Sequence, residues 1–252
     1  MSAQLLTGIE RVQRVHRIWR TDERSQAYPI FRDTKVLAHP KSKSPSTAVK
    51  GVASFFSGGV DSFYTLLANE KEVTHLIYIH GFEGQSDSED VAVTLDNVRE
   101  AARKLNKELV EVQTNARDLF QEYVSWAHYH GSLLASVALL LAPQFQKVFI
   151  PSTHDVAQLF PWGSHPEVDP HFSIEGCALV HDRCDVTRLE KTATLAASSV
   201  ALEHLRVCWR PAFNCGQCGK CVRTRLGLQA LGVSAASFSD GPLSLRPELR
   251  SW

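Results

Sequence analysis

The chain has 252 residues, 44% hydrophobic and 21% charged, which is enough apolar content for a buried core and too much for a disordered chain. Its longest apolar run, residues 133–142, contains Ser136 and is half the roughly 20 residues a membrane-spanning helix requires, so a bilayer-crossing protein is excluded. Net charge is zero, which argues against a dedicated polyanion clamp, yet residues 1–50 hold ten Lys/Arg against four Asp/Glu while the rest holds seventeen against twenty-three. A basic arm on an acidic body points first to docking on that body and only second to nucleic acid, so a small-molecule substrate is favoured. Glu10, Asp22 and Glu23, without an apolar core segment, argue against a secretory signal, and a cytoplasmic location is expected.

Along the chain, Arg11, Arg14, Arg17 and Arg20 recur every third residue beside Val12, Val15, Ile18 and Trp19, a pattern that fits a helix or an irregular strand equally. Residues 41–50, with Pro45 and three serines, read as a linker. A first strand is predicted over 52–56, then a helix with Val60, Tyr64, Leu67 and Ala68 on one face. A second strand over 76–79 leads through a loop rich in Asp, Ser and Glu to a helical pattern over 91–105. Two further strands, 109–112 and 148–150, are separated by a long helical region reaching Leu141. Such alternation predicts an α/β fold with a doubly wound parallel sheet, in which ligands bind beyond the carboxyl ends of the strands. Those ends carry residues 57–62, His80 and Gly81, Thr114 and Asn115, and residues 152–155.

Ser57, Gly58, Gly59, Val60, Asp61 and Ser62 fall between a predicted strand and a predicted helix. Two glycines allow a tight turn that gathers backbone N–H groups, and the helix start adds its positive dipole end, so the loop suits an anion such as pyrophosphate. The hydroxyls of Ser57 and Ser62 add donors, and Asp61 can hold a magnesium ion on the phosphates. A Gly-Gly turn followed by a capping aspartate is the purely structural alternative. The loop lacks both the Lys-Ser/Thr ending of the kinase-type loop and the third glycine of a dinucleotide fingerprint.

Ser-Gly-Gly-Val-Asp-Ser resembles the PP-loop motif of the ATP pyrophosphatase superfamily. The resemblance implies a doubly wound α/β fold and a reaction in which a substrate oxygen is adenylated with loss of pyrophosphate, after which a nitrogen or sulfur nucleophile displaces AMP. Positioning and charge neutralisation would be the protein's main contribution.

Cys208, Cys215, Cys218 and Cys221 put four of the six cysteines into fourteen residues, as C-x6-C-x2-C-x2-C with Gly216 and Gly219 between ligands. The spacing predicts a knuckle around structural zinc, with an iron–sulfur cluster as the rival. Val222, Leu226 and Ala230 form an anchoring helical face ending near Gly232. With this knuckle added, residues 50–232 are similar to the 7-cyano-7-deazaguanine synthase family, which makes a nitrile from a carboxylate and ammonia using ATP. Thr187, Arg188, Leu189 and Glu190 look like that family's Thr-Lys-x-Glu segment, with Arg188 in the place of a phosphate-facing lysine, although Thr187 and Glu190 also read as a capping box. Residues 159–173 lie where the family has its substrate loop but depart from its Tyr-Pro-Asp-Cys-Arg-Pro pattern, and the basic N-terminal extension is a second departure.

The residues expected to act are Asp61, Ser62 and Arg188, with ATP and Mg2+ held by the 57–62 loop, His80 and Gly131. Zn2+ is expected on the four cysteines. His128, His130, His154 and Asp155 are weaker candidates, and Trp162, His165, Asp169 and His171 belong to a Pro-rich loop that would act as a lid. Cys177 and Cys184 fall outside the knuckle; a buried role is the commoner one, and sulfur relay the alternative. The expected organisation is a basic extension over 1–50, an ATP-binding α/β domain over 51–205, the knuckle and its helix over 206–232 and a tail over 233–252. The expected activity is adenylation of a small heterocyclic carboxylate or carbonyl compound for attack by ammonia. Thiolation of a nucleobase carbonyl by a sulfur donor, free or in RNA, and a non-catalytic nucleotide- and zinc-binding module are the alternatives. A homodimer is compatible with all three.

Overall fold

The computed structural model describes residues 1–19, 34–40, 50–82, 88–208 and 213–238. Most of the expected linker over 41–50, the tip of the acidic loop after β2 and most of the expected tail lie outside the described residues. In chain order the elements are α1 (Ala3–Trp19), β1 (Gly51–Phe55), α2 (Val60–Ala68), β2 (His75–His80), α3 (Ser88–Lys104), β3 (Glu108–Gln113), α4 (Ala116–Phe120), α5 (Trp126–Leu141), β4 (Phe145–Pro151), β5 (Ala178–Asp182), α6 (Arg188–Ala196), α7 (Ser199–His204) and α8 (Gly219–Ala230). Short 3-10 turns at Val156–Gln158 and Asp169–Phe172 interrupt the long connection after β4. The fold is α/β, with one five-stranded parallel sheet in the order β3-β2-β1-β4-β5. Among the described residues, no helix is long and apolar enough to cross a membrane.

Two compact units make up the chain: Met1–Ser54 with Asn115–Asp185, and Phe55–Thr114 with Val186–Trp252. In the first, β1 pairs with β4 from Gly51 opposite Phe145 to Ser54 opposite Phe149, and β4 pairs with β5 from Lys147 opposite Ala178 to Pro151 opposite Asp182. Val52, Ala53, Phe145, Val148 and Ile150 are buried, a near-continuous apolar run of the kind a strand covered on both faces requires. The N-terminal segment is a helix. Gly8, Val12 and His16, four residues apart, form its buried stripe, and it packs on the Asp169–Phe172 turn. Gln4 N–H donates to Glu175 Oε1 at 3.0 Å, and Trp19 meets the His165 ring edge-on at 4.9 Å.

In the second unit, β2 and β3 pair in register from His75 opposite Glu108 to His80 opposite Gln113. Leu76, Ile77, Tyr78 and Ile79 are buried in succession, while β3, the edge strand, alternates between half-buried and exposed positions. The periodic stretch 91–105 becomes α3, which buries Val98, Ala101 and Ala102. A mutual pair of bonds ties α3 to α7: Asn97 Nδ2 donates to His204 O, and His204 Nδ1 donates to Asn97 Oδ1, both at 2.8 Å.

Candidate anion-binding site and cysteine centre

The turn from β1 into α2 depends on Gly58, whose φ of +74° lies where a side chain is strained. Its carbonyl accepts from Arg206 N–H at 2.8 Å. Ser62 is buried and donates its hydroxyl to Gly59 O at 3.0 Å, while Ser57 N–H donates to Ser62 Oγ at 3.3 Å. The loop therefore holds its shape through its own serine. Gly59, the residue before α2, makes no side-chain cap, so the helix start offers backbone donors and a positive dipole end.

Asp61, in the first turn of α2, accepts from Arg188 Nη2 at 2.9 Å and from Lys191 Nζ at 3.3 Å. Arg188 and Lys191 stand one turn apart on α6, whose start is fixed by a complete capping box. Glu190 Oε2 accepts from Thr187 N–H at 2.8 Å, and Thr187 Oγ1 accepts from Glu190 N–H at 3.4 Å. The same box pulls the Glu190 carboxyl below its ordinary range, first through the Thr187 hydroxyl and then through its N–H. Lys191 is only 2% exposed and lies 5.8 Å over the Tyr64 ring, so its ammonium is held in a largely water-free place.

Of the expected site residues, Ser57, Gly58, Gly59, Val60, Asp61, Ser62 and Arg188 thus form one constellation. His80 ends β2, packs edge-on against Tyr78 at 4.8 Å and lies 3.9 Å from Glu111. Gly131 is in the other unit, buried in α5, and its missing side chain has a local use: an added Cβ would run into the carbonyl oxygen of Gly163. Sequence reasoning passed over Lys191, which lies one turn beyond Arg188; that spacing was the available signal.

The four cysteines come together with all sulfur atoms within 4.8 Å of one another. Cys208 and Cys218 are 3.8 Å apart, and Cys215 and Cys221 are 4.0 Å apart. Four thiolates around one ion at about 2.3 Å stand about 3.8 Å from each other, so the cluster can bind one tetrahedral metal ion and is compatible with zinc. Among the described residues it is the one such group of three or more ligands. Burial opposes ionisation of Cys215, but the N–H groups of Gln217 and Cys218 and the thiols of Cys208 and Cys218 together outweigh it and hold its thiol down to about 6. The scaffold of the centre is Asn214. Its Oδ1 accepts from Val207 and Cys208 N–H at 3.0 and 3.4 Å, and its Nδ2 donates to Leu205 and Ser237 carbonyls at 2.7 and 2.9 Å.

The first unit holds the His-rich segment. Asp169 is wholly buried, and its Oδ2 accepts from Ser164 Oγ at 2.6 Å and His181 Nδ1 at 2.7 Å. His130 donates through Nδ1 to Trp126 O at 3.0 Å and stacks on the Trp126 ring, and Trp162 meets both His130 and His154 edge-on. His171 lies on the turn under α1, and Asp155 caps the Val156–Gln158 turn through Ala157 N–H. Burial lowers the pKa of His128, His130 and His165, so these rings are held neutral. Cys177 is buried and its thiol is pushed up by that burial, whereas Cys184 is partly exposed. No family model matches the chain, and no curated protein matches it either.

Proposed function

We propose that the chain is an ATP-dependent adenylating enzyme of the PP-loop type, similar to the 7-cyano-7-deazaguanine synthases, acting on a small heterocyclic carboxylate or carbonyl compound with ammonia as the nucleophile. The observation that carries this reading is Asp61 at the start of α2, beside an open glycine turn, held by two cations from α6. The N–H groups of the 57–62 loop and the Ser57 hydroxyl bind the β,γ-phosphates, and Ser62 keeps the loop in the shape that presents them. A magnesium ion held through Asp61 would neutralise phosphate charge there. Arg188 and Lys191, released from the carboxylate, then turn to the phosphate oxygens and stabilise charge as pyrophosphate leaves. The substrate oxygen attacks the α-phosphorus, and the bond to the bridging oxygen breaks with its electron pair leaving on pyrophosphate. Ammonia adds to the activated carbon, loses a proton and displaces AMP.

Zinc on Cys208, Cys215, Cys218 and Cys221 would supply folding energy to the knuckle rather than chemistry. The burial of Cys177 disfavours a sulfur relay through that residue, because a thiol held protonated is a poor carrier. The test is the nucleotide product formed from Mg-ATP, ammonium and a small-molecule cell extract. AMP and pyrophosphate are expected, dependent on extract and lost in Asp61→Ala. Formation of ADP, or AMP formation indifferent to Asp61→Ala, overturns the proposal.

A further inference from the structure

The cysteine centre and the 57–62 loop share one short piece of backbone. Residues 204–208 run from the end of α7 to Cys208, and on the way the Arg206 N–H donates to Gly58 O at 2.8 Å. Gly58 is the residue whose φ of +74° makes the turn, so this bond holds the turn at its left-handed position. Two side-chain amides grip the same piece. Asn97 Nδ2 donates to His204 O at 2.8 Å, and Asn214 brackets Arg206 by bonding Leu205 O on one side and the N–H groups of Val207 and Cys208 on the other. A chain held at 204, 205, 207 and 208 moves at 206 only if those residues move with it. The last of them is a metal-ligand candidate, with its sulfur 3.8 Å from that of Cys218.

The far side of the centre leads to the same loop. Cys218 precedes α8 and Cys221 lies in its first turn, and α8 packs on α6 so closely that a Cβ on Gly227 would stand 3.4 Å from Thr192. Thr192 donates its hydroxyl to Arg188 O at 2.8 Å, and Arg188 and Lys191 reach Asp61 at 2.9 and 3.3 Å. One ion on the four sulfurs would therefore join a segment bonded to Gly58 and a helix packed against the holders of Asp61. Without an ion, sulfur atoms 3.8 and 4.0 Å apart have only weak S–H bonds between them, and the two sides can part. The centre thus has two states, closed on metal and open, and the loop is connected to both of the halves that separate. The competing explanation is a knuckle that folds only itself, which predicts no effect of metal at the loop.

We infer that metal at the cysteine centre controls anion binding at the 57–62 loop, with Asn214 and residues 204–208 as the positioning elements that keep Gly58 in its anion-binding shape while the centre is closed. This rests on the reading of the 57–62 loop as a pyrophosphate site. The test is calorimetric titration of the full chain with inorganic pyrophosphate and Mg2+. The samples are the zinc-loaded parent, the parent stripped of zinc and freed of chelator, and zinc-loaded Asn214→Ala and Val73→Ala. Bound zinc is measured after each titration, and amide hydrogen exchange is followed by mass spectrometry. Stripping should weaken pyrophosphate binding about tenfold, and it should speed exchange over 57–62 and 204–208 while β2 and β3 stay protected. Asn214→Ala should weaken binding about fivefold in its zinc-loaded fraction, which decides the matter even if the stripped chain unfolds. Val73 is buried outside both connections, so Val73→Ala should lower the melting temperature and leave affinity unchanged, an outcome that separates positioning from general stability. Affinity that is equal with and without zinc in folded protein, or equal in Asn214→Ala and the parent, overturns the inference. A zinc-loaded parent that binds no pyrophosphate overturns the loop reading itself, and this inference with it.

Discussion

At the scale of single residues, the proposed reading gives Asp61 two opposed effects on phosphate. Its carboxylate occupies Arg188 and Lys191 at 2.9 and 3.3 Å, and its negative charge repels an anion arriving without a metal. Replacing it with asparagine keeps the volume, removes the repulsion and frees both cations. Asp61→Asn should therefore bind metal-free pyrophosphate about five- to tenfold more tightly, a gain of ~1 kcal/mol, which is the scale of one partly screened charge interaction. On the proposed reading the same variant loses the carboxylate that would hold magnesium, so AMP formation should fall by about a hundredfold. Calorimetry with EDTA present, set beside a product assay with magnesium, checks both. Affinity and turnover falling together would mean that Asp61 acts only by holding the loop.

At the scale of elements, the cysteine centre depends on one side chain that is not a ligand. Asn214 makes four hydrogen bonds that gather residues 205–208 and Ser237 around the sulfur atoms. Asn214→Ala should cost about 2–3 kcal/mol and lower the bound metal, since buried backbone groups lose their partners. Asn214→Asp keeps the acceptor for Val207 and Cys208 but turns a carboxylate oxygen toward the Leu205 and Ser237 carbonyls, so it should lose at least as much. Melting curves with metal analysis on both variants check this order. The four cysteines were legible because a ligand set is written in short spacings, whereas Asn214 was not, since its role is set by contacts to residues 205–208 and 237. The same contrast runs through the fold. β1, β2, β3 and β4 announce themselves as apolar runs, but β5 contains His181 and Asp182 and has too little apolar sequence to read as a strand. The every-third-residue arginines left α1 ambiguous, and its stripe of Gly8, Val12 and His16 is weak because glycine and histidine are poor markers of burial. In the candidate site at the 57–62 loop, the glycine turn is local and legible. Lys191 is 130 residues away from Asp61 in sequence, and only folding brings it near.

At the scale of the whole molecule, five of the eleven histidines are arranged against acid. Burial, and after it the charge of His128, lowers His16 from 6.5 to about 4, and burial also lowers His128, His130, His165 and His204. A histidine whose folded pKa is depressed binds its proton more readily in the unfolded chain. Their contribution is therefore full above about pH 6.5 and is lost as the pH falls, with His16 contributing a slope of about 1.4 kcal/mol per pH unit down to about pH 4. For His16 alone the loss approaches roughly 3 kcal/mol by pH 4. Glu100, Glu190 and Glu203, held down by hydrogen-bonded partners, lose their contribution only as pH falls below the ordinary 4.5 of a glutamate, so the two windows separate. Urea unfolding at pH 8, 6.5, 5.5 and 5 should show stability declining well before the carboxylates titrate. His16→Leu places an apolar side chain among Val12, Gly8 and the turn under α1, and removes one proton from the balance. Its unfolding should be shallower in pH by about one proton between pH 6.5 and 4, and an unchanged slope would show that His16 does not titrate across that window.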